Sequence, residues 1–479
     1  MNIAVILIIL LVGAIATCLS GNKFASKVAI LFGAAAAIFS IALLVQFTGS
    51  GELVYSTMWI SDLNISFSLR ADGLSMAMLL MTTVILSLIL ISSVSDKMKN
   101  EKYFYSLVML TAFSIAGVFL SSNALVYYVF WELSLIPIYF ITIYWGSGEM
   151  AIRRKATMTF FIYTFAGSMF MLAAIIYLYT KVGSFELMDM YNADLSATEQ
   201  TWIYLAFFLA YAIKIPIFPF HTWQADVYER SPYVGTMLLG GLMSKMGLYS
   251  VLRWQLPIVP DAAKELQTIV LILCVIGVIY GSIVALKQDN IKRLFAYASL
   301  AHVGFVAAGA YSGNYDGLEG AVFLMIAHGF GVVGLFFAAE IIQRRWGTLS
   351  IKRMGGIQSL APRFATLFFV VVLVSITLPL TLNFLGEFTI MLGLYELSIW
   401  YMIGVGVSMF MGAFFMLQMY QHVMLGEVKN TKPFWDLTSS ESFVFVCIGL
   451  IAFVLGIYSI PMSELISGSL TEILSFINR

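Results

Sequence analysis

Ala212-Ile213-Lys214-Ile215-Pro216-Ile217-Phe218-Pro219-Phe220 puts one lysine and two prolines inside an otherwise apolar run. Proline has no N–H and crowds the carbonyl four residues earlier, so Pro216 opposes Ala212 and Pro219 opposes Ile215, and the helix must break just after Lys214. Lys214 then ends a half-helix, where partial negative charge favours an ammonium. Lodging a charge at mid-bilayer costs roughly 2.5–3.5 kcal/mol on insertion scales, so such residues face an internal cavity or an ion path. A second stretch, Leu378-Pro379-Leu380-Thr381-Leu382-Asn383-Phe384, repeats the pattern 163 residues later, counted from Pro216 to Pro379. Glu387 falls in the opening turns of the half-helix that follows, where partial positive charge favours a carboxylate.

The rest of the chain fits a membrane setting. It is 61% hydrophobic and 11% charged with a mean hydropathy of +0.92, which excludes a soluble domain. Lys+Arg and Asp+Glu are both 26, so nothing in the charge balance points to nucleic acid. Cys18, Cys274 and Cys447 stand singly in apolar segments, a pattern that disfavours disulfides, iron–sulfur clusters and zinc, and no metal or cofactor site is expected. Ile3 to Leu19 has no basic residue ahead of it and reads as a retained helix rather than a cleaved signal.

At about 20 apolar residues per crossing, fourteen segments emerge: 2–20, 28–47, 73–95, 104–121, 123–143, 156–180, 202–220, 235–252, 267–286, 291–311, 318–342, 364–395, 400–424 and 442–460. Alternate loops hold 19 Lys and Arg against 5 on the other side, so the positive-inside rule puts both termini outside the cytoplasm. The expected fold is an all-α polytopic bundle containing two inverted five-helix repeats, each with a broken helix. Three N-terminal helices occupy 1–100, the first repeat 104–256 with its break at 215–220, the second repeat 267–424 with its break at 378–384, and a last helix and tail 442–479. Five helices per unit is an odd number, so the second unit enters with opposite polarity; inverted repeats with matching breaks are a transporter signature.

Further intramembrane titratable groups join Lys214 and Glu387. Glu132 lies in Tyr128-Val129-Phe130-Trp131-Glu132-Leu133-Ser134, and Lys245 has about ten apolar or small residues on either side, too many for its ammonium to reach an interface. His302 and His328 sit within the tenth and eleventh segments. His221 and His422 read as structural, and Asp72 and Glu340 as solvated charges at helix ends.

At these residues a resemblance becomes specific. Pro219-Phe220-His221-Thr222-Trp223, Ser231-Pro232, Leu242-Met243-Ser244-Lys245-Met246-Gly247, and Asp289-Asn290-Ile291-Lys292-Arg293-Leu294-Phe295-Ala296-Tyr297-Ala298-Ser299 leading to His302-Val303-Gly304 resemble the antiporter-like subunits of respiratory complex I, over roughly 100–425. Asn383-Phe384-Leu385-Gly386-Glu387-Phe388 is similar to the twelfth-helix motif of the subunit M type, which has glutamate where sister chains have lysine. Two positions depart from the pattern: Ala225-Asp226 stands for the usual Pro-Asp, and Leu380 and Leu382 stand where glycines are common.

The resemblance implies a proton-translocating subunit of NADH:quinone oxidoreductase with no redox centre of its own, held between neighbouring membrane subunits in a bacterial inner membrane. It implies Glu132 and Lys214 as a modulating pair, Lys245 as central relay, Glu387 as terminal relay, and His302 and His328 along the water path. A chain of a multi-subunit sodium/proton antiporter or membrane-bound hydrogenase would share most of these features. A polytopic lipid-modifying enzyme would need polar or metal-ligand clusters at the membrane surface, which the short loops lack.

Overall fold

The computed structural model describes residues 2–63, 65–95 and 98–479; Lys97, one of the basic loop residues counted above, lies outside them. Helices Ala4–Leu19 (α1) and Asn22–Ser50 (α2) lead into an antiparallel hairpin of Leu53–Ile60 (β1) and Ile65–Ala71 (β2), followed by Gly73–Ser92 (α3) and Glu101–Leu120 (α4). Ala124–Leu133 (α5) and Leu135–Trp145 (α6) meet at Ser134, and Met150–Val182 (α7), Leu187–Tyr191 (α8), Ala197–Lys214 (α9) and Gln224–Arg230 (α10) follow. Tyr233–Leu238 (α11) and Ser244–Ser250 (α12) belong to one rod in which Leu239–Met243 and Val251–Gln255 are π-helical. The chain continues through Pro260–Leu286 (α13), Ile291–Ala310 (α14), Tyr315–Trp346 (α15), Ile357–Leu360 (α16), Pro362–Ser375 (α17), Leu382–Leu397 (α18), Ile399–Met424 (α19), Ser439–Ile457 (α20) and Ile460–Ile477 (α21).

Among the described residues, ten helices are long and apolar enough to cross a membrane, which makes this a multi-pass membrane protein. The other four expected crossings correspond to the shorter α1, to α9 with the turn after it, to the π-containing rod, and to the α17 and α18 pair. The most apolar window of α15 is buried along its whole length, whereas α2 and α19 leave most of theirs outward. α15 is therefore the axis of the bundle, packed against α3, α14, α17 and α18, with α2, α7 and α19 presenting apolar rims.

Side-chain caps set several helix starts. Asp72 accepts from the Ser75 N–H, Asn290 from Lys292 and Arg293, and Ser196 and Thr438 form capping boxes with Glu199 and Glu441. These satisfy N–H groups that hydrocarbon could not.

Three expectations need correction. The fold is mostly helical rather than all-α: the β-rich run 53–71 pairs from Leu53↔Ala71 to Ile60↔Ile65. Ser66 and Ser68 of that hairpin donate to Glu186, which ties it to the chain ahead of α8. The tail after α20 is a helix, α21, seated against α3, and Gly73 permits the approach because any Cβ there would collide with the Leu465 carbonyl. Asp72 and Glu340 are buried rather than solvated, Asp72 in an ion pair with Arg253 and Glu340 2.9 Å from Arg344.

Candidate functional site

The first break forms because Pro216 cannot donate to Ala212, and two of the freed carbonyls find other donors. The Ile217 N–H reaches Ala212 O at 2.7 Å, a five-residue step, and the Trp223 indole N–H takes Ile213 O at 3.0 Å. With these two carbonyls satisfied, the turn persists inside protein at membrane depth. Lys214, the last residue of α9, is 4% exposed; its Nζ donates to Ser134 Oγ at 3.2 Å and lies 5.0 Å from the Trp131 ring centroid. Trp131, Glu132 and Ser134 come from the α5–α6 junction, so Lys214 and Glu132 share one level. They do not touch: among the described residues no carboxylate lies within 4.0 Å of Lys214 Nζ. Glu132 is half-buried beside Tyr128 and Ser168, and its Oε1 is buried without a hydrogen-bond partner.

The second break has the same internal step, with the Leu378 N–H on Leu373 O at 3.1 Å. Thr377 (φ 58°) and Leu380 (φ 77°) both take the left-handed region, where glycine would be easier. Thr381 caps the start of α18, and Gly456 of α20 lies directly against the turn.

Between the breaks lies a line of titratable groups. Lys245 is fully buried in α12, just after one π-helical stretch and before the other; its Nζ meets Gly240 O, Ser244 Oγ at 3.3 Å and His328 Nδ1 at 2.7 Å. An ammonium only donates, so while Lys245 is charged His328 Nδ1 accepts, and a neutral ring then carries its proton on Nε2. The His328 and His302 ring centroids are 5.7 Å apart, and His302 Nδ1 is 3.1 Å from Glu387 Oε1. Glu387, 1% exposed, keeps Oε2 buried without a partner. A cavity of about 20 Å³, room for about one water, is lined by His302, His328, Ser299, Ser375 and Asn383 among others. His328 Nε2, Ser299 Oγ and Asn383 Oδ1 also lack partners, the setting that buried water satisfies.

Lys245, His328, His302 and Glu387 are thus brought into one line, while Glu132 and Lys214 form a separate group near α5. Ser134, Ser299 and Asn383 were not singled out from sequence. All three stood inside the quoted motifs, but an isolated Ser or Asn carries no signal until its neighbours are known. The π-helical turns that frame Lys245 have no local sequence marker.

Residues 121–415 match the family of transmembrane subunits described as NADH:quinone oxidoreductase/Mrp antiporter. The chain belongs to this family. NADH-quinone oxidoreductase subunit M of Rickettsia typhi is 36% identical over 430 residues, 88% of this chain and 86% of that protein. A chain of respiratory complex I from Thermus thermophilus superposes with a TM-score of 0.92 at 26% identity, covering 99% of both chains. A chain of the Mrp complex from a Dietzia species gives 0.87 at 17% identity over 99% of this chain and 97% of its own, a likeness of fold alone. The subunit M relatives agree with the reading of the Glu387 motif, which rested on a glutamate at that position.

Proposed function

We propose that this antiporter-like chain is a proton-translocating membrane-arm subunit of an NADH:quinone oxidoreductase, working through two linked groups of buried charges. The observation that carries it is the line from Lys245 through His328 and His302 to Glu387, with contacts of 2.7 and 3.1 Å at its ends and partnerless polar atoms around a water-sized cavity between.

Lys245 can pass a proton to His328 Nδ1, and the ring can release one from Nε2 toward the cavity. Water there hands it to His302, which delivers to Glu387. Each step moves one proton between groups within hydrogen-bond reach or one water apart. Titration of such a line belongs to the whole set rather than to a single member.

The Glu132 and Lys214 group supplies the switch. A carboxylate moving toward an ammonium favours its charged form, and one moving away releases the proton. Lys214 rests on Ser134 and the Trp131 ring rather than in an ion pair, as in an open valve, and half-buried Glu132 is placed to feel charge in a neighbouring membrane subunit. Redox energy arrives through such contacts. The fourteen crossings, inverted repeats and termini on the outer side of a bacterial inner membrane belong to the same reading, supported by the 19-to-5 division of basic residues and the five-residue step at both breaks.

The test is the proton-to-electron ratio of the assembled complex in membrane vesicles. Lys245→Met should reduce it to background for this subunit, and Glu387→Gln should lower it severalfold. Wild-type pumping in Lys245→Met would refute the relay.

A further inference from the structure

Glu132, Lys214 and Lys245 each have a hydroxyl residue three to five positions along their own helix. Tyr211 precedes Lys214 by three residues in α9, Tyr127 precedes Glu132 by five in α5, and Ser250 follows Lys245 by five in α12. At about 1.5 Å per residue these offsets are about 4.5–7.5 Å. α5 and α9 run opposite to α12, so all three hydroxyls are displaced in one direction, toward the end of the bundle that carries the α13 start and the α14 end.

They converge. The Tyr127 hydroxyl lies 3.2 Å from the Tyr211 hydroxyl and 2.7 Å from Ser250 Oγ, and all three residues are buried. Beyond them Tyr311, just past the end of α14, donates to Gln255 Oε1 at 2.8 Å, and the Gln255 amide donates in turn to the Tyr204 carbonyl of α9 at 3.2 Å. The Tyr204 hydroxyl and the Trp254 indole N–H are buried without partners beside this set. Tyr311 also lines a cavity of about 170 Å³ at that end of the bundle, with Gln267 and Ser312. Phenylalanine would fill the same ring space, so packing does not account for the hydroxyls.

We propose that Tyr127, Tyr211, Ser250 and Tyr311 form a second outward branch, which carries protons from the Glu132, Lys214 and Lys245 level to the Tyr311 cavity without passing Glu387. The proposal rests on the proton-relay reading above. Each hydroxyl accepts a proton on oxygen, gives up its own to the next acceptor or water, and resets by rotation, so no electron moves and no bond other than O–H is exchanged.

The experiment uses the whole complex in vesicles and the proton-to-electron ratio in four forms: Glu387→Gln, Glu387→Gln with Tyr127→Phe and Tyr211→Phe, Glu387→Gln with Ser250→Ala, and Lys245→Met. Glu387→Gln should keep residual pumping by this subunit, and either added change should lower that residue twofold or more. The small Ser250→Ala change carries the test if the double tyrosine variant fails to assemble. No residual pumping in Glu387→Gln, or combined variants equal to Glu387→Gln alone, overturns the branch. If Lys245→Met pumps like wild type, the relay reading fails and the branch with it; if Lys245→Met is silent while the combined variants match Glu387→Gln, only the branch fails.

Discussion

Gly456→Ala adds no charge and removes none, and it should nevertheless disable the relay. A methyl group on Gly456 would sit 2.4 Å from the Leu380 carbonyl oxygen and 2.6 Å from the Leu382 nitrogen. Ordinary contact begins near 3.4 Å, so α20 and the second break must separate by about 1 Å. The obstacle is backbone, and it cannot rotate away. Overpacking of this kind costs about 1–3 kcal/mol. The break already holds Thr377 and Leu380 in left-handed conformations and caps α18 through Thr381, so displacement moves the start of α18 as a unit. Glu387 lies in the second turn of that helix. A shift of about 1 Å would stretch its 3.1 Å contact with His302 past hydrogen-bonding range, and misplacement of that size costs about 10²-fold in a reacting geometry. The assay is paired: thermal stability of the assembled complex, and proton pumping at a fixed quinone-reduction rate. A small loss of stability with a large loss of pumping is expected. Wild-type values of both would refute the idea that close packing of α20 positions Glu387.

The remaining expectations concern the switch, the outer ion pair and the topology. Glu132→Gln and Lys214→Ala should each cut pumping severalfold while the complex assembles, and Glu132→Asp should keep part of it; wild-type pumping in both severe variants would remove the valve. Burial alone would raise the Asp72 carboxyl, but the Arg253 guanidinium and the Ser75 N–H outweigh it and hold it below the ordinary carboxylate range. A depressed carboxyl stabilises above its unfolded value of about 3.9 and the contribution is lost as pH falls through the folded value, so wild-type stability should drop below about pH 4. Asp72→Asn should cost about 3–5 kcal/mol at neutral pH, because it strands buried Arg253; a thermal-unfolding series over pH in both proteins checks the sign. Single cysteines in the 343–363 loop should react only with reagent added from the cytoplasmic side, and labelling from outside would invert the proposed orientation.

Properties that depend on residue chemistry added along the chain were legible from the sequence. Hydrocarbon solubility is additive, so composition decided the membrane class, and proline's missing N–H acts four residues away, so Pro216 located the first break at Lys214. The Glu387 motif likewise carried its own family signal. What the sequence left open was whatever depended on segments remote along the chain. Lys245 and His328 are 83 positions apart, and Asp72 and Arg253 are 181 apart. Their pairing depends on how α3, α12 and α15 pack, which no local pattern encodes. The same holds for Lys214, whose ammonium finds the Ser134 hydroxyl across 80 positions of chain, and for the hydroxyls of Tyr127, Tyr211 and Ser250, three separate helices whose meeting exists only in the folded bundle. Burial cost says that a charge inside a membrane must find a partner; which partner it finds is a matter of distance, and distance is set by tertiary packing.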